Sequence, residues 1–173
     1  VMEYLAPKPG GNYLDGTLGG GGYSREILDR LGGQGKILAI DLDDLAIANA
    51  KLNLKSPIAN HNLYLAQANF KNLSDIVKKY FTADAKFDGM VFDLGLSSAQ
   101  LQDRTRGFSF NLAGAPLGMN FGGETIETAE KIINSWSAED LAKIFREYGE
   151  EKFAYKIALA VAEARKTQRI IST

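Results

Sequence analysis

The chain has 173 residues, with 20 Lys and Arg against 21 Asp and Glu, 45% hydrophobic and 24% charged residues. These values exclude a disordered tail, a collagen-like repeat and a disulfide scaffold. With no cysteine and a single histidine, a thiolate nucleophile, a cysteine-based zinc or iron–sulfur site and a two-histidine metal site are excluded too, and no metal is expected.

The first hundred residues alternate strand and helix signals. Residues 12–15 form a short apolar run stopped by glycine, and Ser24 is the expected N-cap of a helix over 25–31 that Gly32 and Gly33 stop. Residues 36–41 read as a buried strand ending on a carboxylate, followed by a helix over 45–54. A third strand is expected at 63–66. Leu73, Ile76, Val77 and Tyr80 then make a helical stripe, and 87–93 reads as a fourth strand. Near-continuous apolar strands separated by short helices predict parallel βαβ units with both sheet faces covered.

After Asp93 the pattern changes. Residues 94–125 show no period and predict a long functional loop. Ser137 followed by Asp140 predicts a capping box, with a stripe of Leu141, Ile144, Phe145 and Tyr148 behind it and Gly149 as a stop. Phe153, Ile157, Ala160, Val161 and Ala164 form a second stripe, so 126–173 is expected to be all-helical. The last residues, 170–173, resemble the start of a further helix. Four strands make a narrow sheet, which predicts that part of the chain is missing. No run of about 18 apolar residues occurs, so no membrane span is expected. The opening residues Val1-Met2-Glu3-Tyr4 do not read as a signal peptide.

Ten of the 18 glycines fall within the first 35 residues, chiefly in the run Asp15-Gly16-Thr17-Leu18-Gly19-Gly20-Gly21-Gly22-Tyr23-Ser24. Between a strand and a helix, such a loop brings backbone N–H groups close to a ligand; the alternative is a flexible turn. It matches neither the dinucleotide fingerprint nor a Walker A loop. Asp41 ends the second strand about twenty residues further on, where a carboxylate binds ribose hydroxyls or caps the next helix. It does not separate NAD from S-adenosylmethionine. Phe70, just past the third strand, is either an aromatic wall for adenine or a core residue. Asp93, after the fourth strand, either caps a turn or sits beside a methyl donor. There it would accept an N–H of an amine being methylated, a reaction that depends on alignment more than on a strong base.

The chain resembles the bacterial small-subunit rRNA methyltransferase H family, also called MraW. The resemblance rests on Asp15-Gly16-Thr17-Leu18-Gly19 with Gly21-Gly22, on Ala39-Ile40-Asp41-Leu42-Asp43, and on Asp93-Leu94-Gly95-Leu96-Ser97-Ser98 with Gln100-Leu101. It rests equally on Arg106-Gly107-Phe108-Ser109-Phe110 and Tyr148-Gly149-Glu150-Glu151-Lys152-Phe153-Ala154. It implies an α/β, Rossmann-like S-adenosylmethionine-dependent methyltransferase core, present here in part over 1–103, with an inserted all-helical domain over 104–173. It implies methylation of the N4 amine of a cytosine in 16S rRNA, in the small ribosomal subunit and the cytoplasm; a homodimer is left open. The cofactor contacts implied are Gly19, Gly21, Gly22, Tyr23, Asp41, Phe70, Asp93 and Gln100, with Asp93 also catalytic. Three departures stand out: Tyr23 where the family usually has His, Ala99 where it has Pro, and an uncharged Pro116-Leu117-Gly118-Met119-Asn120-Phe121 stretch.

Arg104 and Arg106 beside Phe108 and Phe110 are the candidates for holding RNA phosphate and stacking an extruded base. Buried packing is the alternative for both Phe residues. Lys152, Lys156, Arg165, Lys166 and Arg169 form either a basic RNA-facing surface or a solvated helix face. Two other functions stay open: methylation of a different amine or nucleic acid, and an inactive cofactor-binding fragment. His61 lies in a polar turn, and Trp136 reads as core or cap packing.

Overall fold

The apolar runs become four parallel strands, of which the two central ones are buried on both faces. In the computed structural model, β1 (Asn12–Asp15), β2 (Lys36–Asp41), β3 (Leu63–Gln67) and β4 (Gly89–Val91) pair in the order β3-β2-β1-β4. Leu14 faces Leu38 on one side and Met90 on the other. The structure describes all residues except 83, 110, 112 and 122–126.

Tyr13, Ile37, Ala39, Leu63 and Val91 point to one face of the sheet. There they pack on Ile27 and Leu31 of α2 (Gly22–Leu31), on Ile47 and Ala50 of α3 (Asp44–Asn53), and on Leu54 before α4 (Lys55–Ala59). A short α1 (Met2–Leu5) adds Met2 to the same cluster. Leu14, Leu38, Ile40 and Ala66 point to the other face. They meet Ile76, Leu73, Val77 and Tyr80 of α5 (Leu73–Tyr80), which follows a 3-10 turn at Phe70–Asn72. Burial on both faces is why β1 and β2 lack polar alternation. The order makes β1 and β4 the switch point, from which chain connections leave in opposite directions and beside which ligands bind in open α/β sheets.

Among the described residues the chain divides into two units, 1–97 with Phe121, and 98–120 with 127–173. The second contains α6 (Ser98–Gln102), α7 (Ala129–Ser135), α8 (Ala138–Glu147) and α9 (Ala154–Thr167). Leu141 and Ala142 of α8 and Ala158 of α9 form its small core, flanked by Ile132, Trp136 and Phe145. Ser137 caps α8 by accepting the Asp140 N–H at 3.0 Å and donating its hydroxyl to the Asp140 carboxylate at 2.7 Å.

Several expectations are corrected. Ser24 is not an N-cap: the cap of α2 is Gly21, three residues earlier, whose φ of 77° favours glycine. The fourth strand covers Gly89–Val91 rather than 87–93, because the Asp93 N–H leaves the ladder for the Thr17 hydroxyl at 2.7 Å. Residues 170–173 begin no helix; Ser172 forms an antiparallel bridge with Pro116, and Thr173 donates its N–H to Ala115 at 2.9 Å. The loop after Asp93 contains the helical turn α6.

Candidate functional site

The carboxyl ends of β1, β2 and β4 place three carboxylates around the glycine run. Asp15 ends β1 and is fully buried. Its oxygens accept the Ser24 hydroxyl at 2.7 Å and the Thr17 N–H at 3.2 Å, which ties the loop to the first turns of α2. Burial raises the Asp15 carboxyl above its ordinary value; the Ser24 and Thr17 hydrogen bonds oppose this, and nearby Asp41 adds to it. Ser24 is the functional-region residue that sequence reasoning placed wrongly. Its spacing from Asp15 only acquires meaning once β1 and α2 are packed.

Asp41 ends β2. One carboxylate oxygen accepts the Gly19 N–H at 2.7 Å and the other the Asp43 N–H at 2.9 Å. The N-cap of α3 is Asp43, which accepts the Leu45 N–H at 3.0 Å, so Asp41 is not needed as the helix cap. Each Asp41 oxygen keeps a lone pair for a further donor. A Cβ at Gly20 or Gly22 would meet no atom within 4 Å, so open space lies beside the loop backbone. A dihydroxy ribose is the kind of group this acceptor pair and this open backbone fit.

Thr17 bridges the two switch-point strands. Its backbone N–H serves Asp15, and its hydroxyl accepts the Asp93 N–H. Tyr23 lies on the first turn of α2. The negative Asp93 beside it raises the phenol above its ordinary value, with desolvation and the more distant Asp15 in the same direction. Asp93 itself is exposed.

Phe70 is 42% exposed, so it is not a core residue. Its ring meets Phe92 edge-to-face at 5.6 Å and 74°. The Phe92 ring in turn lies against Gly16, where an added Cβ would sit 2.1 Å from a ring carbon. Phe92 was not anticipated; a Phe at a strand end carries no signal by itself.

The structure therefore brings Gly19 to Asp41, Tyr23 to Asp93 and Phe70 to Phe92 within one unit. Gly21 is the N-cap of α2 and Gly22 its first residue. Gln100, Arg104, Arg106 and Phe108 belong to the second unit, and Phe110 lies outside the described residues. Gln100 is buried on α6. Arg104 is exposed, whereas Arg106 is paired with Asp103 at 3.4 Å and Phe108 is half-buried. The Arg106 carbonyl accepts the Met119 N–H at 2.7 Å, so the uncharged stretch after Pro116 braces this arginine loop.

The basic residues near the end of the chain are partly committed. Arg165 donates to the carbonyls of Ile133 and Trp136 at the end of α7. Lys166 pairs with Glu163 at 2.6 Å and Arg169 with Glu130 at 2.9 Å.

A parallel sheet of order β3-β2-β1-β4, with a glycine loop after β1 and carboxylates ending β2 and following β4, defines a Rossmann-like α/β protein. The chain belongs to the MraW methylase family, whose pattern matches residues 1–173. It is 45% identical to the ribosomal RNA small subunit methyltransferase H of Thermomicrobium roseum, over 100% of this chain and 52% of the relative. It is 44% identical to the protein of the same name from Brevibacillus brevis, over 100% of this chain and 54% of the relative. The chain thus spans about half the length of the curated relatives it matches.

Proposed function

We propose that the protein transfers a methyl group from S-adenosylmethionine to the N4 amine of a cytosine in 16S rRNA of the small ribosomal subunit, in the cytoplasm. The observation that carries this reading is the joint placement of Asp41, the glycine loop and Asp93 at the sheet's switch point. The names of the relatives supply the rRNA substrate class.

In this reading Asp41 holds the ribose hydroxyls, and the backbone of Gly19, Gly21 and Gly22 lines the cofactor. Phe70 borders the adenine, and Gln100 completes the cofactor contacts. When bound, the sulfonium cofactor supplies an electrophilic methyl carbon. Asp93 accepts one N–H of the cytosine amine, which weakens conjugation of its lone pair with the ring and aims that pair at the methyl carbon. A sulfonium donor held there would give up that methyl carbon to the nitrogen, keeping the S–C electrons on sulfur. The amine then releases one proton to Asp93 or to water. No strong base is required, which fits a chain with one histidine. Arg104 and Arg106 hold RNA phosphates while Phe108 and Phe110 stack the extruded base. The helical unit is read as an insertion into the methyltransferase core.

Calorimetry with S-adenosylhomocysteine and with NAD tests the cofactor. Binding of S-adenosylhomocysteine alone supports the reading, and binding of NAD alone overturns it.

A further inference from the structure

We infer that Thr17 is a positioning residue: its hydroxyl holds the Asp93 backbone at a fixed place beside the glycine loop, and so sets the acceptor amine against the methyl donor. The inference rests on the methyltransferase reading above and adds a residue to which that reading gives no role.

The need for such a restraint follows from how β4 ends. Its pairing with β1 runs as far as the Gly16 N–H, which donates to the Val91 carbonyl at 2.9 Å. Beyond that point residues 92–96 are exposed and lie in no helix or strand. Exposed backbone outside a ladder opens and shifts easily. A misplacement of about 1 Å at a reacting group can cost about 100-fold in rate. The Thr17 hydroxyl supplies the partner that the ladder no longer offers, accepting the Asp93 N–H at 2.7 Å. Because this bond is to the main chain, it takes none of the acceptor positions of the Asp93 carboxylate.

Thr17 can act as an anchor because it is held on both sides. Its N–H donates to the buried Asp15 carboxylate at 3.2 Å, and the Ser24 hydroxyl ties that carboxylate to α2 at 2.7 Å. Leu18 is buried in the core, and its N–H donates to the Ile40 carbonyl of β2 at 3.0 Å. Branching at Cβ restricts the first side-chain torsion of threonine, so little rotamer freedom is lost when the hydroxyl accepts. The Gly19 N–H, two residues on, goes to Asp41 at 2.7 Å. Thr17, Leu18 and Gly19 thus engage Asp93, the core and Asp41 in turn. The acceptor for the ribose and the acceptor for the amine are placed by one short stretch of loop, so their separation does not depend on the exposed segment after β4.

The experiment uses the full-length protein. Hydrogen exchange of the Asp93 amide in the wild type, followed by NMR, tests the anchor without any need for activity. Slow exchange is expected, and exchange at the rate of an unfolded peptide overturns the inference. With small ribosomal subunits as substrate, kcat, KM and S-adenosylhomocysteine affinity are then read for wild type, Thr17→Val and Thr17→Ser. Valine keeps the shape and removes the acceptor. Thr17→Val is expected to lower kcat by about 10- to 100-fold. Its S-adenosylhomocysteine affinity should stay within about twofold of wild type. Thr17→Ser, which restores the acceptor, is expected to recover most of kcat. Unchanged kcat in Thr17→Val overturns the inference, as does a loss of cofactor affinity that matches the loss in kcat, or a Thr17→Ser protein no more active than Thr17→Val. A wild type that binds S-adenosylhomocysteine but leaves rRNA unmethylated overturns the rRNA reading and this inference with it. An active wild type beside an equally active Thr17→Val overturns this inference alone.

Discussion

Replacing Asp41 with alanine removes a side chain that joins the glycine loop to the end of β2. Its carboxylate accepts the Gly19 N–H at 2.7 Å and the Asp43 N–H at 2.9 Å, and retains one acceptor position per oxygen for the ribose. A hydrogen bond to a charged group contributes about 1.5–3 kcal/mol. Losing the ribose contacts should therefore weaken S-adenosylhomocysteine about 10- to 150-fold in calorimetry. The loosened Gly19 adds to that loss, because the loop must then be ordered on binding. Asp41→Asn separates the two effects. The amide keeps one acceptor oxygen, but its NH2 faces a backbone N–H, so affinity should fall to an intermediate level. An Asp41→Ala protein that is folded and binds S-adenosylhomocysteine with wild-type affinity would refute the assignment.

Asp15 gives a pH signature. Its carboxyl is raised in the folded state, so the folded protein binds more protons than the unfolded chain. The stability linked to it is fully present below its unfolded value of about 4 and is lost as pH rises through the folded value. Urea denaturation from pH 4 upward should show Asp15→Asn gaining relative to wild type as pH rises; a pH-independent difference would contradict this. Gly16→Ala forces the Phe92 ring off its seat and disturbs the Phe70 edge contact, at a cost of about 0.5–1.5 kcal/mol. In a Phe92→Ala background that cost should largely vanish, and an equal cost in both backgrounds would place the strain elsewhere. Arg165→Ala leaves the carbonyls of Ile133 and Trp136 without their donor and should destabilise the helical unit by about 1–3 kcal/mol. Lys166→Ala removes only an exposed ion pair and should change stability by less than about 1 kcal/mol in the same denaturation assay.

Local pattern was enough to expose the strands, the glycine loop and the carboxylates Asp41 and Asp93, because each is a run of adjacent residues with its own periodicity or turn chemistry. What escaped depends on residues far apart in the chain. Ser24 looks like a cap because it precedes good helix formers, yet it is buried against Asp15. Thr17 and Asp93 meet across 76 positions. Arg165 reads as surface charge until α9 is packed beside α7. The ending at 170–173 has helix-compatible residues, but the backbone of Thr173 finds its partner at Ala115. In each case tertiary pairing overrides a local preference that was correctly read.

The activity proposed for this protein is methylation of N4 of a cytosine in 16S rRNA. Its most direct test is mass spectrometry of small-subunit rRNA from cells with and without the gene. Loss of an N4-methylcytosine, restored by the wild-type gene but not by Asp93→Ala, is the predicted result. An unchanged N4-methylcytosine content in cells lacking the gene would contradict the assignment.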